Sequence, residues 1–127
     1  MLFKYWVVCF LLFILFIQAR ASSFMPAVTN YLAKDYEAGY QNWACAQGSN
    51  GEMYFGNSQG LLVYDGYRWT LHKVPGNHIV RSVYVKEDRI YVGAFEEFGY
   101  FKYSEAGTLR YHSLSKFLKN FPMENNE

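Results

Sequence analysis

Three histidines, the adjacent carboxylates Glu96-Glu97 and the thiol of Cys45 are residues of this chain whose types invite a chemical reading. His72, His78 and His112 lack Cys, Asp or Glu at the short spacings that converge ligands on zinc, such as His-Glu-x-x-His, so no metal site is expected. Glu96-Glu97 is the kind of acid pair a glycosidase uses. Adjacent residues of an extended segment point to opposite faces, however, and cannot both flank one glycosidic bond. Gly56-Asn57-Ser58-Gln59-Gly60 has neither the spacing of a phosphate-binding loop nor a helix after it, and no serine stands in Gly-x-Ser-x-Gly. Cys45 lies between Ala44 and Ala46 in an apolar run, where a small buried hydrophobe is the expectation rather than a nucleophile. No catalytic residue and no cofactor is expected.

What remains is binding chemistry. Asn57, Ser58, Gln59, His78, Phe95, Glu96 and Glu97 offer amides, carboxylates and aromatic rings near predicted strand ends. Planar amides and carboxylates match paired sugar hydroxyls, and apolar sugar faces stack on aromatic rings. Arg81 alternates outward from Val80 and Val83 and is a further candidate contact.

The elements that must position these residues follow from composition and punctuation. The chain has 127 residues, is 51% hydrophobic and 20% aromatic, and carries only 18% charged residues, so it packs a core rather than forming a disordered tail. Its formal net charge of +1 leaves no electrostatic footprint for nucleic acid. Residues 5–17 are uncharged, follow Lys4, and precede Ala19 and Ala21 at the spacing of a cleavage site, which predicts a signal peptide over 1–21 and a mature start at Ser22. Removing Lys4 and Arg20 with it leaves 10 basic and 11 acidic side chains. Cys9 leaves too, so no internal disulfide is available to Cys45.

After a lead-in over 22–42, short apolar runs alternate with turn residues at the spacing of an all-β fold. Strands are predicted at 43–47, 53–56, 60–64 and 68–73, with Asn50-Gly51 as a two-residue type I′ turn and Asp65-Gly66 as a second tight turn. Val74-Pro75-Gly76-Asn77-His78 breaks the pattern. Met53-Tyr54-Phe55-Gly56 is then answered by Ile90-Tyr91-Val92-Gly93, Gly60 and Tyr64 by Gly99 and Tyr103, and Arg68-Trp69 by Arg110-Tyr111. On this alignment the second unit carries two extra residues in the loop before Gly99. A repeat of about 40 residues with four strands has the length of a β-propeller blade. The expected architecture is two four-stranded antiparallel blades of an incomplete propeller, over 43–74 and 79–114, with a truncated exit segment over 115–127. Two blades leave stacking faces wet, so the pair is expected to self-associate when isolated.

These residues resemble the two-component-regulator propeller repeats. The likeness is carried by Gln41-Asn42-Trp43-Ala44, Met53-Tyr54-Phe55-Gly56-Asn57, Gly60-Leu61-Leu62, Tyr64-Asp65-Gly66, Arg68-Trp69, Ile79-Val80-Arg81-Ser82 and the run over 90–101. It covers roughly residues 30–114 and is similar to the N-terminal part of periplasmic sensors that join a propeller to a three-tyrosine domain. The resemblance implies sensing of a soluble ligand, an oligosaccharide by the loop chemistry, outside the membrane. It implies further blades and a membrane-anchored signalling domain as partners outside this chain, with a kinase or DNA-binding output. The alternatives are a secreted propeller hydrolase whose catalytic residues lie beyond Glu127, and a small extracytoplasmic β interaction module.

Overall fold

Turn chemistry and two-residue alternation divide the body of the chain into eight short strands. The computed structural model describes residues 3–8, 10 and 25–118. It divides into two units, Met1–Asn30 and Tyr31–Glu127. In the first, residues 3–8 and 10 are helical and 25–30 are irregular. Among the described residues no helix is long and apolar enough to cross a membrane. The predicted cleavage site at Ala21 and most of the exit segment, 119–127, lie outside the described residues.

The second unit is all-β apart from short turns of helix. A four-residue helix α1 (Ala33–Tyr36) precedes β1 (Asn42–Gln47), β2 (Met53–Asn57), β3 (Gly60–Tyr64) and β4 (Trp69–His72), which pair in sequence order as one antiparallel sheet. A 3-10 turn, Pro75–Asn77, leads to β5 (Val80–Lys86), β6 (Arg89–Ala94), β7 (Glu97–Tyr103) and β8 (Leu109–Ser113), a second sheet of the same order. Each sheet offers alternate residues to one face, and the two sheets bury a shared core. Tyr54, Leu61 and Val63 of the first sheet meet Val80, Ile90, Val92, Phe101 and Leu109 of the second, with Val74 of the connection. Gly56 lets the sheets close. A Cβ there would lie 2.8 Å from the Val80 carbonyl oxygen of β5.

The tight turns set the strand ends, and the one at Asn50-Gly51 differs from expectation. Gly51 has φ of 85°, but Asn50 is not among the positive-φ residues, so the turn is not type I′. The Gly51 N–H donates to the Gly48 carbonyl at 3.0 Å and the Gly48 N–H to the Glu52 carbonyl at 2.9 Å, closing a three-residue loop with one left-handed glycine. Ser104 to Thr108 repeats the same bonds, with Gly107 at φ 74°. At Asp65-Gly66 the expected tight turn is present, the Asp65 carboxylate accepting from the N–H of Tyr67 and Arg68.

The registers also correct the repeat alignment. Gly56 pairs with Leu61 and Gly93 with Phe98, so both hairpins have two-residue loops and the spacing of 37 runs on through the third strand. Phe101, not Tyr103, is the counterpart of Tyr64, and Glu97, not Gly99, that of Gly60. The extra residues sit at the far end of β7, before the β7–β8 turn. A slip of two leaves every side chain on its own face, which is why the pattern tolerated the wrong alignment. Trp69 pairs with Tyr64 and Tyr111 with Phe101, so Arg68-Trp69 and Arg110-Tyr111 do correspond.

The lead-in covers the other face of the first sheet. Trp69 stacks on Tyr64 with centroids 4.4 Å apart, and Tyr31 and Tyr36 close over it at 5.2 and 5.5 Å. Cys45 shares this face of the sheet and is exposed, because only Ala44 and Ala46 of β1 turn toward the neighbouring sheet. The expectation of a buried thiol is thereby overturned.

Candidate functional site

Antiparallel order sends the start of β1, the β2–β3 loop, the β4–β5 connection and the β6–β7 loop to one end of the two sheets. All eight sequence-predicted contact residues therefore stand at that end. The first strands of both sheets, β1 and β5, open there with an irregular step. Asn42 pairs with Asn57 and Ala44 with Gly56, which leaves Trp43 as an extra residue; Val80 pairs with Ala94 and Ser82 with Gly93, which leaves Arg81. A bulge of this kind turns a side chain out of the sheet. Trp43 and Arg81 are counterparts in the two sheets, both exposed, with the Arg81 guanidinium 5.2 Å from the indole centroid. A cation over an aromatic face at this distance is attracted by the ring quadrupole, so each side chain limits where the other can go.

The neighbouring loops add a second pair. His78, half-buried, and Phe95, 55% exposed, bring their rings to 6.2 Å. Glu96 follows at φ 52° with its side chain exposed. Gln59 is exposed and Ser58 half-buried, the Ser58 N–H donating to the Gln41 carbonyl at 3.0 Å.

Two of the expected contacts are structural. Asn57 is 0% exposed and its amide is fully used. Its Oδ1 accepts from the N–H of Gly39 and of Gln59, each at 3.0 Å, and its Nδ2 donates to the Gly39 carbonyl at 2.7 Å and to Asn42 Oδ1 at 2.8 Å. The amide chemistry that suggested sugar hydroxyls is spent on the backbone of the lead-in. Glu97 is likewise committed, its carboxylate accepting from Tyr111 Oη and Ser115 Oγ, both at 2.6 Å. Burial pushes the Glu97 carboxyl up, but the hydrogen bonds from Ser115, Tyr111 and Ser113 outweigh it and hold the group below the usual carboxylate range. Burial, then the bond to Glu97, raises the Tyr111 phenol. The accessible set is thus Trp43, Gln59, His78, Arg81, Phe95 and Glu96, with Ser58 at its border.

Trp43 was missed as a contact by sequence reasoning, although it stands one residue before Ala44 as Arg81 stands before Ser82. Glu52 was missed as well. At the opposite end of the sheets its Oε2 accepts from Tyr54 Oη at 2.6 Å, from Asn50 Nδ2 at 2.7 Å and from Tyr103 Oη of the second sheet at 2.8 Å. Burial raises this carboxyl and the three hydrogen bonds lower it by more, leaving it below the ordinary range. The Tyr54 phenol is pushed up to about 12 by burial and by its bond to Glu52. A cleft of about 360 Å³ opens beside this cluster, lined by Tyr54, Asp88, Lys102 and Tyr103, and none of the eight expected residues reaches it. Among the described residues no three His, Cys, Asp or Glu side chains lie together as a metal site. No family model, curated protein or solved structure matches the chain.

Proposed function

We propose that the two sheets are consecutive propeller blades of an exported sensor, and that the end bearing Trp43, Arg81, His78 and Phe95 receives a soluble oligosaccharide. The observation that carries the reading is the repeated bulge, which sets Trp43 and Arg81 at equivalent points of the two inner strands. In a propeller the inner strands line the central channel, and side chains turned out at their starts stand at its mouth. An indole and a phenyl ring supply stacking surfaces, and Arg81, Gln59 and Glu96 supply donors and acceptors for hydroxyls. The chain contributes recognition and no catalysis. Further blades and a membrane-anchored output domain are its proposed partners, and the periplasm its compartment. Export rests on the charge and run length of residues 1–21, and exported protein is expected to begin at Ser22.

The test of the ligand is calorimetry of the chain against a panel of neutral and acidic oligosaccharides. Binding by at least one of them is expected, weakened about 5- to 30-fold by Phe95→Ala and by Arg81→Ala, since each loses on the order of 1–2 kcal/mol of stacking or paired hydrogen bonding. A bound sugar indifferent to both substitutions would place the site elsewhere, and a silent panel would remove the glycan reading.

A further inference from the structure

A second cleft, of about 360 Å³, opens between the sheets at their outer strands, bounded by β3 and β4 of the first sheet and the β7–β8 turn of the second. Tyr103 lines both this cleft and the one beside Asn50. Its volume is that of a small-molecule site.

Strand alternation sets the wall on the first sheet. Thr70 pairs with Val63 and His72 with Leu61, so Arg68, Thr70 and His72 share one face at steps of two residues, spanning about 13 Å of backbone. Met53 pairs with Tyr64, which brings Glu52 beside Asp65 one step further out on that face. Leu109 and Tyr103 of the second sheet complete the cleft. Charge is thus gathered at the mouth and a polar ring lies further in, with buried Val63 and Leu109 between them.

These polar groups keep hydrogen-bonding capacity to spare. The Arg68 side chain is 77% exposed, and its Nε lies 3.9 Å from Asp65 Oδ2, beyond hydrogen-bond reach. Asp65 Oδ1 accepts from the N–H of Tyr67 and Arg68, which fixes the carboxylate and leaves Oδ2 open. Glu52 Oε2 takes all three of that group's hydrogen bonds, and Oε1 takes none among the described residues. Neither ring nitrogen of half-buried His72 is hydrogen-bonded among the described residues. Burial holds this imidazole below its usual range against the pull of Glu52, so at neutral pH it is uncharged and offers one donor and one acceptor.

An unclosed pair of opposite charges selects its ligand. An α-amino acid carries an ammonium and a carboxylate on one carbon, and these span a carboxylate and a guanidinium that stand close without bonding. An inorganic anion at Arg68 would meet Asp65 and Glu52, a simple amine would leave Arg68 unused, and a neutral sugar would neutralise neither sign. From the α-carbon the ligand's side chain runs inward along Thr70, its methylenes between Val63 and Leu109. The free oxygen of Glu52 favours a tip that donates, an amine, guanidinium or amide, and opposes a carboxylate.

We infer that this cleft binds an α-amino acid with a basic or amide side chain, its ammonium on Asp65, its carboxylate on Arg68 and its tip between Glu52 and His72. The inference needs only the packing of the two sheets and is independent of the blade and glycan readings. The probes are arginine, lysine and glutamine, each with its N-acetyl and carboxamide derivatives, titrated into the protein by calorimetry. At least one of the three is expected to bind saturably and to shift the His72 ring-proton signals, assigned by their loss in His72→Gln. Its blocked derivatives, and glutamate, bind about tenfold more weakly. In Arg68→Gln the free acid and the carboxamide bind alike, and in Asp65→Asn so do the free amine and its N-acetyl form. Both side chains lie at the surface and Asn keeps the acceptor that caps the turn, so circular dichroism of the two variants should match the unaltered chain. Silence of all three probes, blocked derivatives or glutamate bound as tightly as the free amino acid, or a preference that survives its own substitution overturns the inference.

Discussion

Replacing Tyr103 with Phe removes one hydroxyl and nothing else from the contact between the sheets. That hydroxyl donates to Glu52 at 2.8 Å from a residue 51 positions away, so it ties the end of β7 to the first turn of the first sheet. A hydrogen bond to a charged acceptor contributes about 1.5–3 kcal/mol when sheltered, and this one stands at a rim where Tyr103 is 36% exposed. Glu52 keeps Tyr54 and Asn50 as donors, so no buried charge is orphaned. The cost is therefore about 1 kcal/mol, which for a domain of this size lowers the melting temperature by about 4–8 °C. The pH dependence separates this cause from lost packing. The folded Glu52 carboxyl lies below its ordinary value of 4.5, so the stabilisation is fully present above 4.5 and fades as pH falls through the lower folded value. Circular dichroism melts of Tyr103→Phe and of the unaltered chain should differ at neutral pH and converge in acid. Tyr84→Phe, on the exposed face, serves as the control and should be silent. A Tyr103→Phe chain as stable as the original at neutral pH, or a deficit unchanged in acid, would refute the linkage between the sheets through Glu52.

Asn57→Ala should free the lead-in from the first sheet at a cost of several kcal/mol, since it leaves buried backbone groups of Gly39 without partners, and limited proteolysis near Tyr40 should accelerate sharply. Gly51→Val and Gly107→Val should each cost about 1–2 kcal/mol of unfolding free energy in denaturant titrations through positive φ alone, because a Cβ meets nothing within 4 Å at either site. Leu61→Ala, at 0% exposure between the sheets, should cost about 3–5 kcal/mol in the same titration, more than the same change at half-buried Leu71. In alkali, the Tyr54 phenol should stay protonated past its ordinary 10, so the stability it confers is whole below 10 and is lost as pH rises through about 12, which spectrophotometric titration of tyrosine can follow.

Eight strands in two meanders were legible because the turn residues and the period of two are local signals. Met53-Tyr54-Phe55-Gly56 and its answer at Ile90 located equivalent strands, and Val74 to His78 located the connection. The alignment of Gly60 with Gly99 failed because a two-residue slip conserves the inside and outside of a strand. Cys45 and Asn57 show the other limit. Which face of β1 meets a neighbour, and whether a polar side chain at a strand end looks outward or back at its own lead-in, depend on contacts between segments far apart in sequence. Asn57 and Gly39 are 18 positions apart, and no local pattern marks their bond. Glu52 and Tyr103 are hidden from sequence for the same reason. At the candidate site, Arg81 and Phe95 were visible as polar and aromatic residues near strand ends, but Trp43 became significant only once the two bulges were superposed.

The amide of Asn57 also imposes an order in time. Its Oδ1 accepts from Gly39 of the lead-in and from Gln59 within the β2–β3 loop, so the seat of Gly39 is whole only once that loop has formed. The lead-in emerges first during synthesis, and this shared acceptor predicts that it docks with or after the hairpin that follows it. A Cβ on Gly39 would run into Ser58 and Asn57, so the seat is cut for glycine and cannot be filled early by a neighbour of another type. The same segment brings Tyr31 and Tyr36 over the indole of Trp69, so its docking is expected to shield that ring. Quenching of that indole by solvent, followed during refolding, would read the docking of the lead-in as the last event in the assembly of the first sheet.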